Sequence, residues 1–134
     1  MARISTIEGI GESYASKLNS SGIGTVEKLL TVAGEKAGRR QLASDTGISE
    51  KLILKWVNMA DLFRIRGVAG QYAELLECSG IDTVKELAQR NPDSLHEKMT
   101  AANTEKKVVR QVPGLKIVKS WVTEAGTLPR KVSY

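Results

Sequence analysis

The sequence predicts an all-α protein of two tandem units, packed together and built from about nine short helices. Three observations support this fold class. No stretch alternates apolar and polar residues with the period of two that a strand requires. Residues that start and stop helices recur along the chain, and a segment of 24 residues occurs twice.

The repeat aligns residues 7–30 with residues 65–88, without a gap and at an offset of 58. Eleven of the 24 positions are identical, which chance does not produce. Trp56 and Trp121 each fall late in a closing helix pattern, LILKWVNMA and LKIVKSWVTEA. We therefore assign residues 1–64 to the first unit and 65–134 to the second. Halves of this size bury only modest cores, so we expect them to pack on each other.

Side chains that cap helices mark most of the predicted starts. Thr83 with Glu86 forms a capping box, Ser49 opens the LILKW helix, and Asn91 caps a helix whose first residue is Pro92. The first helix of each copy is expected to end at Gly22 or Gly80.

The C-terminal part of the second unit is expected to hold two further helices. Thr104 opens the first of them, which ends where Pro113 and Gly114 break the pattern ahead of LKIVKSWV. This helix is expected to turn three valines inward and to present three cations, namely Val108, Val109 and Val112, and Lys106, Lys107 and Arg110.

Apolar residues at helical spacing define the expected core. Tyr14 and Tyr72 occupy matching positions in these stripes, and we assign both to the core rather than to a nucleic-acid contact. Arg39 and Arg40 are isolated basic residues, for which a solvated helix face is the expectation.

The composition excludes several classes of protein. One Cys and one His cannot assemble a zinc site, an iron–sulfur cluster or an internal disulfide, so we expect no metal and no cofactor. Aromatic residues make up only 4%, which disfavours single-strand binding on a stacking platform. No apolar block follows the first residues, and no uncharged stretch approaches the ~20 residues of a membrane span. We expect a soluble, cytoplasmic protein with no membrane partner and no small-molecule substrate.

The excess positive charge lies at the C-terminal end. Residues 1–104 hold 13 basic and 13 acidic residues, whereas residues 105–134 hold seven basic and two acidic ones. The net charge of +5 therefore suggests an anionic partner for the second unit.

The repeated segment opens with an apolar-x-Gly-apolar-Gly motif, Ile7-Glu8-Gly9-Ile10-Gly11, followed by Ala15 and Leu18. This pattern resembles the helix-hairpin-helix signature, and the whole chain resembles an uncharacterised bacterial family of tandem helix-hairpin-helix proteins. Each half resembles the double helix-hairpin-helix domains of DNA repair and recombination proteins. The resemblance implies that backbone N–H groups of the hairpins grip the phosphates of duplex DNA without reading bases.

The four candidate hairpins differ in charge. Glu8 and Glu12 flank the first, whereas the second, 67–70, replaces one motif glycine by Ala69 but has arginines before it. The third, 47–49, and the fourth, 113–115, are degenerate, and the fourth has lysines after it. The predicted nucleic-acid-binding residues are Gly9, Ile10, Gly11, Arg64, Arg66, Gly67, Val68, Gly70, Lys106, Lys107, Arg110, Gly114, Lys116 and Lys119.

An enzymatic function is not expected. Helix-hairpin-helix glycosylases that act through a Schiff base carry a nucleophilic Lys two residues after the second motif glycine. Ser13 and Gln71 stand there in the two copies. Cys78 and His96 have no neighbour in the sequence that would activate them.

Two functions stay open from the sequence alone. The first is binding of duplex DNA, or of RNA, through the backbone. The alternative is a protein-interaction or structural scaffold in which the hairpins only join helices, with the basic C-terminal residues 105–134 docking an acidic protein.

Overall fold

The computed structural model describes residues 2–68 and 70–134. Within them the chain forms eight α-helices, one short 3-10 helix at Ile4–Thr6 and no strand, which confirms the all-α class. A single antiparallel bridge joins Arg3 to Thr25. The chain divides into two compact units, Met1–Asp61 with Lys131–Tyr134, and Leu62–Arg130. We call them unit 1 and unit 2.

Unit 1 contains the first helices of the chain: α1 (Glu12–Ser20), α2 (Val26–Ala33), α3 (Lys36–Thr46) and α4 (Glu50–Leu62), the last residue of which already lies in unit 2. Leu18, Leu29, Ile53 and Trp56 are fully buried and form the centre of its core. Thr25 caps α2 by accepting the backbone N–H of Lys28 at 3.1 Å, and Ser49 accepts that of Leu52 at 3.2 Å.

Unit 2 contains α5 (Gln71–Cys78), α6 (Val84–Ala88), α7 (Pro92–Lys106) and α8 (Leu115–Ala125). Helix α8 packs against α6 and α7, and α5 packs against α7. The predicted N-caps are confirmed: Thr83 accepts the N–H of Glu86, and Asn91 accepts those of Asp93 and Ser94. The carboxylate of Glu86 accepts the N–H of Asp82, the residue before the cap, rather than that of Thr83 as in a capping box. The replacement of a hairpin glycine by Ala69 lies outside the described residues.

The expected helix starting at Thr104 is wrong. Thr104 lies inside α7, where its hydroxyl donates to the carbonyl of Thr100 at 2.9 Å. Helix α7 ends at Lys106, and residues 107–114 form a non-helical loop, which we call the basic loop. Lys107 and Arg110 therefore lie on this loop rather than on a helix, and of its valines only Val109 is buried.

For Arg39 the expectation of a solvated helix face is wrong. Its side chain is buried, with 4% of the residue exposed. The guanidinium donates to the carbonyls of Ala33, Gly34 and Ser133 at 3.2, 2.8 and 2.6 Å. It thus satisfies carbonyls at the end of α2 and holds the C-terminal segment of unit 1. Arg40 does lie at the surface.

Candidate nucleic-acid interface

The two repeated glycine motifs form similar tight turns. The N–H of Ile10 donates to the carbonyl of Ile7 at 3.2 Å, and that of Val68 donates to Ile65 at 3.0 Å. Gly9 and Gly67 stand third in these turns with φ of 92° and 86°, the left-handed region that a type II turn requires there. We call them the Gly9 turn and the Gly67 turn.

The apolar residues of both turns face the interior. Ile10 is 6% and Val68 2% exposed, so their side chains are buried, and only backbone groups of these two predicted residues could reach a phosphate. Both anchor the turn in the core instead. The two central residues of each turn lie at the surface: Glu8 and Gly9 in unit 1, and Arg66 and Gly67 in unit 2.

A tryptophan lies beside each turn glycine. A Cβ built on Gly9 would lie 3.9 Å from Trp56 Nε1, and one built on Gly67 would lie 3.6 Å from Trp121 Nε1. The same tryptophans contact the tyrosines of the repeat, with ring centroids 5.1 Å apart for Tyr14–Trp56 and 5.8 Å for Tyr72–Trp121. Both tyrosines are half-buried rather than fully within the core.

A helix begins directly after each motif. Gly11 is the N-cap of α1 and Gly70 that of α5, and neither provides a side-chain cap, so the first N–H groups lack the usual side-chain acceptor. In unit 1 the carboxylates of Glu8 and Glu12 lie at the surface on either side of Gly11. In unit 2 the helix opens with neutral Gln71, and the carboxylate of its first turn, Glu74, lies three residues further along and is half-buried, so no exposed carboxylate of this turn borders the helix N-terminus.

Glu124 fixes the Gly67 turn to α8. Its carboxylate accepts the backbone N–H of Arg66, with N···O distances of 3.1 and 3.3 Å. This contact leaves the Arg66 side chain exposed beside the turn. Arg64 has a structural role, since its guanidinium donates to the Pro129 carbonyl at 2.6 Å.

The basic loop is held by one asparagine. Asn103 on α7 donates from Nδ2 to the carbonyl of Val109, and its Oδ1 accepts the N–H of Val109, both at 2.9 Å. The amide therefore acts as a backbone partner for a loop residue six positions later. Lys107 begins the loop in the left-handed conformation, with φ 51° and ψ 47°.

Two grooves in unit 2 border Tyr72. The larger, of about 770 Å³, lies between the start of α5 and the basic loop. The smaller, of about 270 Å³, lies between the Gly67 turn and α8. The larger is lined by Gln71, Tyr72, Asn103, Thr104 and residues 107–111, and the smaller by Arg66, Gly67, Tyr72, Pro113, Ile117, Ser120 and Trp121.

The grooves bring together cations from distant parts of the sequence. Arg66 lines the smaller groove, and Lys107 and Arg110 line the larger one. Lys116 is exposed at the start of α8, next to Ile117 of the smaller groove. Within the described residues none of these four forms an ion pair. The other predicted residues lie outside the two groove linings: Arg64, Val68, Gly70, Lys106, Gly114, Lys116 and Lys119 of unit 2, together with Gly9, Ile10 and Gly11 of unit 1.

Among the groove residues that the sequence does not predict as nucleic-acid-binding are Gln71, Tyr72 and Asn103. Asn103 gave no sequence signal, because its partner is a loop backbone. The sequence places Gln71 beside the second hairpin and at the position of the catalytic lysine of the glycosylases. Tyr72 was assigned to the core, although its match to Tyr14 across the repeat indicates a shared role.

The described part of the chain holds no group of three or more His, Cys, Asp or Glu side chains that could bind a metal ion. None of its helices is long and apolar enough to cross a membrane.

Residues 8–128 match a family model described as a domain of unknown function (DUF4332). No curated protein and no solved structure matches the chain.

Proposed function

This chain belongs to the DUF4332 family, and we propose that it binds the sugar–phosphate backbone of duplex DNA through unit 2, without sequence preference and without catalysis. In this proposal the Gly67 turn and the start of α5 act as a helix-hairpin-helix element, and the basic loop supplies the second contact. The chain has a single cysteine and therefore cannot form an internal disulfide, which agrees with a location in the reducing cytoplasm.

The observation that carries the proposal is the convergence of unpaired cations around Tyr72. Arg66 and the basic loop are more than 40 residues apart in the sequence, yet they line neighbouring grooves. Exposed cations without carboxylate partners are available to phosphates, and each bound phosphate releases a condensed counterion. Such contacts position a protein on the backbone but do not read sequence.

The backbone of the same surface supports anion binding independently of side-chain charge. The first N–H groups of α5 have no side-chain cap, and the exposed Gly67 backbone has no Cβ to keep a phosphate away. The Gly9 turn has the same shape, but Glu8 and Glu12 lie beside it. We therefore place the contact on unit 2.

A non-catalytic role follows from the residues at the nucleophile position of the motif. Ser13 and Gln71 cannot form a Schiff base with an abasic sugar. Borohydride treatment of the protein with a duplex containing an abasic site is therefore expected to trap no covalent adduct. A trapped adduct would contradict this part of the proposal.

Fluorescence anisotropy with a labelled duplex of ~30 base pairs at several salt concentrations tests the binding. With three to five phosphates neutralised at ~0.9 each, log affinity should fall against log salt with a slope of roughly −3 to −4.5. A variant with Arg66, Lys107, Arg110 and Lys116 all changed to Ala should weaken binding by a similar factor on every sequence and flatten the slope.

The matched control removes the same charge from unit 1. Lys17, Lys28, Lys51 and Lys55 are exposed, so their joint replacement by Ala should keep most of the affinity. Equal losses in the two variants would show that only net charge matters. If the wild-type protein shows no salt-dependent binding at ~50 mM salt, the proposal fails, and the basic surface would better suit an acidic protein partner.

A further inference from the structure

Lys107 occupies a backbone position at which unit 1 has a glycine. Gly47 ends α3 with φ 74°, and its N–H donates to the carbonyl of Ala43 at 2.8 Å. Lys107 is the C-cap that follows α7, with φ 51°, and its N–H donates to the carbonyl of Asn103 at 2.8 Å. Among the described residues Lys107 is the one non-glycine residue with positive φ.

A lysine in this conformation costs stability relative to glycine, because its Cβ crowds the following carbonyl. Strained residues of this kind cluster at binding sites, where the side chain has a use. The Lys107 side chain is exposed and borders the larger groove. The presence of lysine rather than glycine at position 107 is thus better explained by a role of its side chain in the groove than by the backbone conformation at the helix end.

The two units also differ in the loop itself. Three residues, 47–49, join α3 to α4, whereas eight residues, 107–114, join α7 to α8. The longer loop is not loose, since Asn103 holds both backbone groups of Val109. The added residues supply Arg110 and an apolar wall of Val108 and Val109 to the groove.

The groove is larger than a phosphate requires. Its volume of about 770 Å³ falls within the range of clefts that bind small organic ligands, although the groove is open to solvent. Its lining combines two cations with an aromatic ring, Tyr72, and with the exposed amide of Gln71. Cations suit a phosphate, a tyrosine ring suits the face of a base, and an amide can both donate to and accept from a base edge.

We infer that the larger groove holds one unpaired nucleotide of a DNA strand, with its phosphate between Lys107 and Arg110 and its base against Tyr72. One tyrosine is too little for a platform along a strand but is enough for one base. The inference rests on the proposed function and narrows it: unit 2 prefers duplexes with a single-stranded overhang or gap over blunt duplexes.

The test compares four probes by anisotropy competition at ~100 mM salt. They are a blunt duplex of ~30 base pairs, the same duplex with a three-nucleotide overhang, that overhang without its bases, and a free mononucleotide. The normal overhang should bind about five- to tenfold tighter than the blunt duplex, since one stacked base contributes that much. The overhang without bases should lose most of this gain, and the mononucleotide should compete only at millimolar concentration.

The Lys107→Gly variant tests separately the contribution of the Lys107 side chain to binding and the cost of its backbone conformation to stability. It should raise the melting temperature by about 3 °C, because it relieves the positive φ, and it should also reduce the overhang preference. A lower melting temperature would contradict the strain argument. Tyr72→Leu should remove the contribution of the base, whereas Tyr72→Phe, which keeps the ring, should retain it.

The outcomes distinguish this inference from the proposed function. If all duplexes bind alike and with the expected salt dependence, the nucleotide site is wrong and backbone binding stands. If the mononucleotide alone binds at micromolar concentration, the groove serves a free nucleotide rather than a DNA strand. If no duplex binds, the proposed function itself fails.

Discussion

Gly67 lies against the indole of Trp121, so close that a methyl group added to the glycine would lie 3.6 Å from Trp121 Nε1. In unit 1, Gly9 and Trp56 have the same relationship at 3.9 Å. Both distances are ordinary van der Waals contacts, so space alone would admit alanine. The backbone conformation nevertheless disfavours alanine, because φ is 86° at Gly67 and 92° at Gly9.

Gly67→Ala should therefore destabilise the protein by about 1–2 kcal/mol, the cost of a side chain in the left-handed region. Urea unfolding followed by circular dichroism measures this. Gly114→Ser is the control, because Gly114 has φ −65°, open space around it and the N-cap position of α8. The control should leave stability unchanged or raise it. Equal losses in both variants would contradict the conformational argument.

Arg39→Met should cost about 3 kcal/mol or more, because three carbonyls would lose their charged donor and the buried ones would be left unsatisfied. Arg40→Met is the matched control. The Arg40 side chain is 65% exposed and lies 3.9 Å from Glu50. Its replacement should therefore change the free energy of unfolding by no more than about 0.5 kcal/mol. Denaturant unfolding of both variants decides whether Arg39 has the structural role assigned to it.

Asn103→Ala should release the basic loop. The variant loses two hydrogen bonds of 2.9 Å to Val109 and should be about 1–3 kcal/mol less stable. Its affinity for DNA should fall as well, although Asn103 carries no charge. Thr100→Ala changes an exposed residue of the same helix that lines neither groove, and it should alter neither property. Unchanged DNA affinity in Asn103→Ala would show that the loop needs no fixed position.

Glu124→Gln should strengthen DNA binding about two- to threefold at low salt, because it removes a negative charge beside the Gly67 turn. The amide oxygen can still accept the N–H of Arg66, so the turn should stay in place. Glu8→Gln at the Gly9 turn is the counterpart in unit 1 and should have little effect. A larger effect at Glu8 would move the interface to unit 1.

Asp82 gives a pH-dependent prediction. Partial loss of solvation raises the pKa of its carboxyl, the charges of Glu86 and Glu77 raise this pKa further, and Arg90 opposes them. Folding thus favours the protonated form, so the ionised carboxylate lowers stability as the pH rises. Asp82→Asn should raise the melting temperature at pH 7, and the gain should vanish near pH 3, where Asp82 is protonated in both states. A gain independent of pH would contradict this.

Much of the fold is local and was predictable from the sequence. The caps Thr83, Asn91 and Ser49 act on backbone groups two or three residues away, so a short stretch of sequence contains both partners. The glycines Gly9, Gly22, Gly67 and Gly80 take positive φ because of the turns around them, and the repeat revealed those turns. The all-α class follows from these local rules.

The basic loop was not predictable in this way. Its valines resemble an inward-facing helix stripe, but Lys107 ends α7 in the left-handed conformation and Asn103 binds the backbone of Val109. A helix through residues 107–112 would need those same backbone groups. The choice between helix and loop therefore depends on a side chain outside the segment.

The sequence by itself determined the helical class, the internal repeat, the tight glycine turns and the C-terminal excess of positive charge. Only the tertiary structure decided that Arg39 is buried, that Ile10 and Val68 face inward, and that Arg66 lies near the basic loop around Tyr72. The physical reason is the range of the interactions. Caps, turns and periodicity act within a few residues, whereas burial and the placement of Arg66 and Lys107 in two grooves that share Tyr72 require chain segments that only packing brings together.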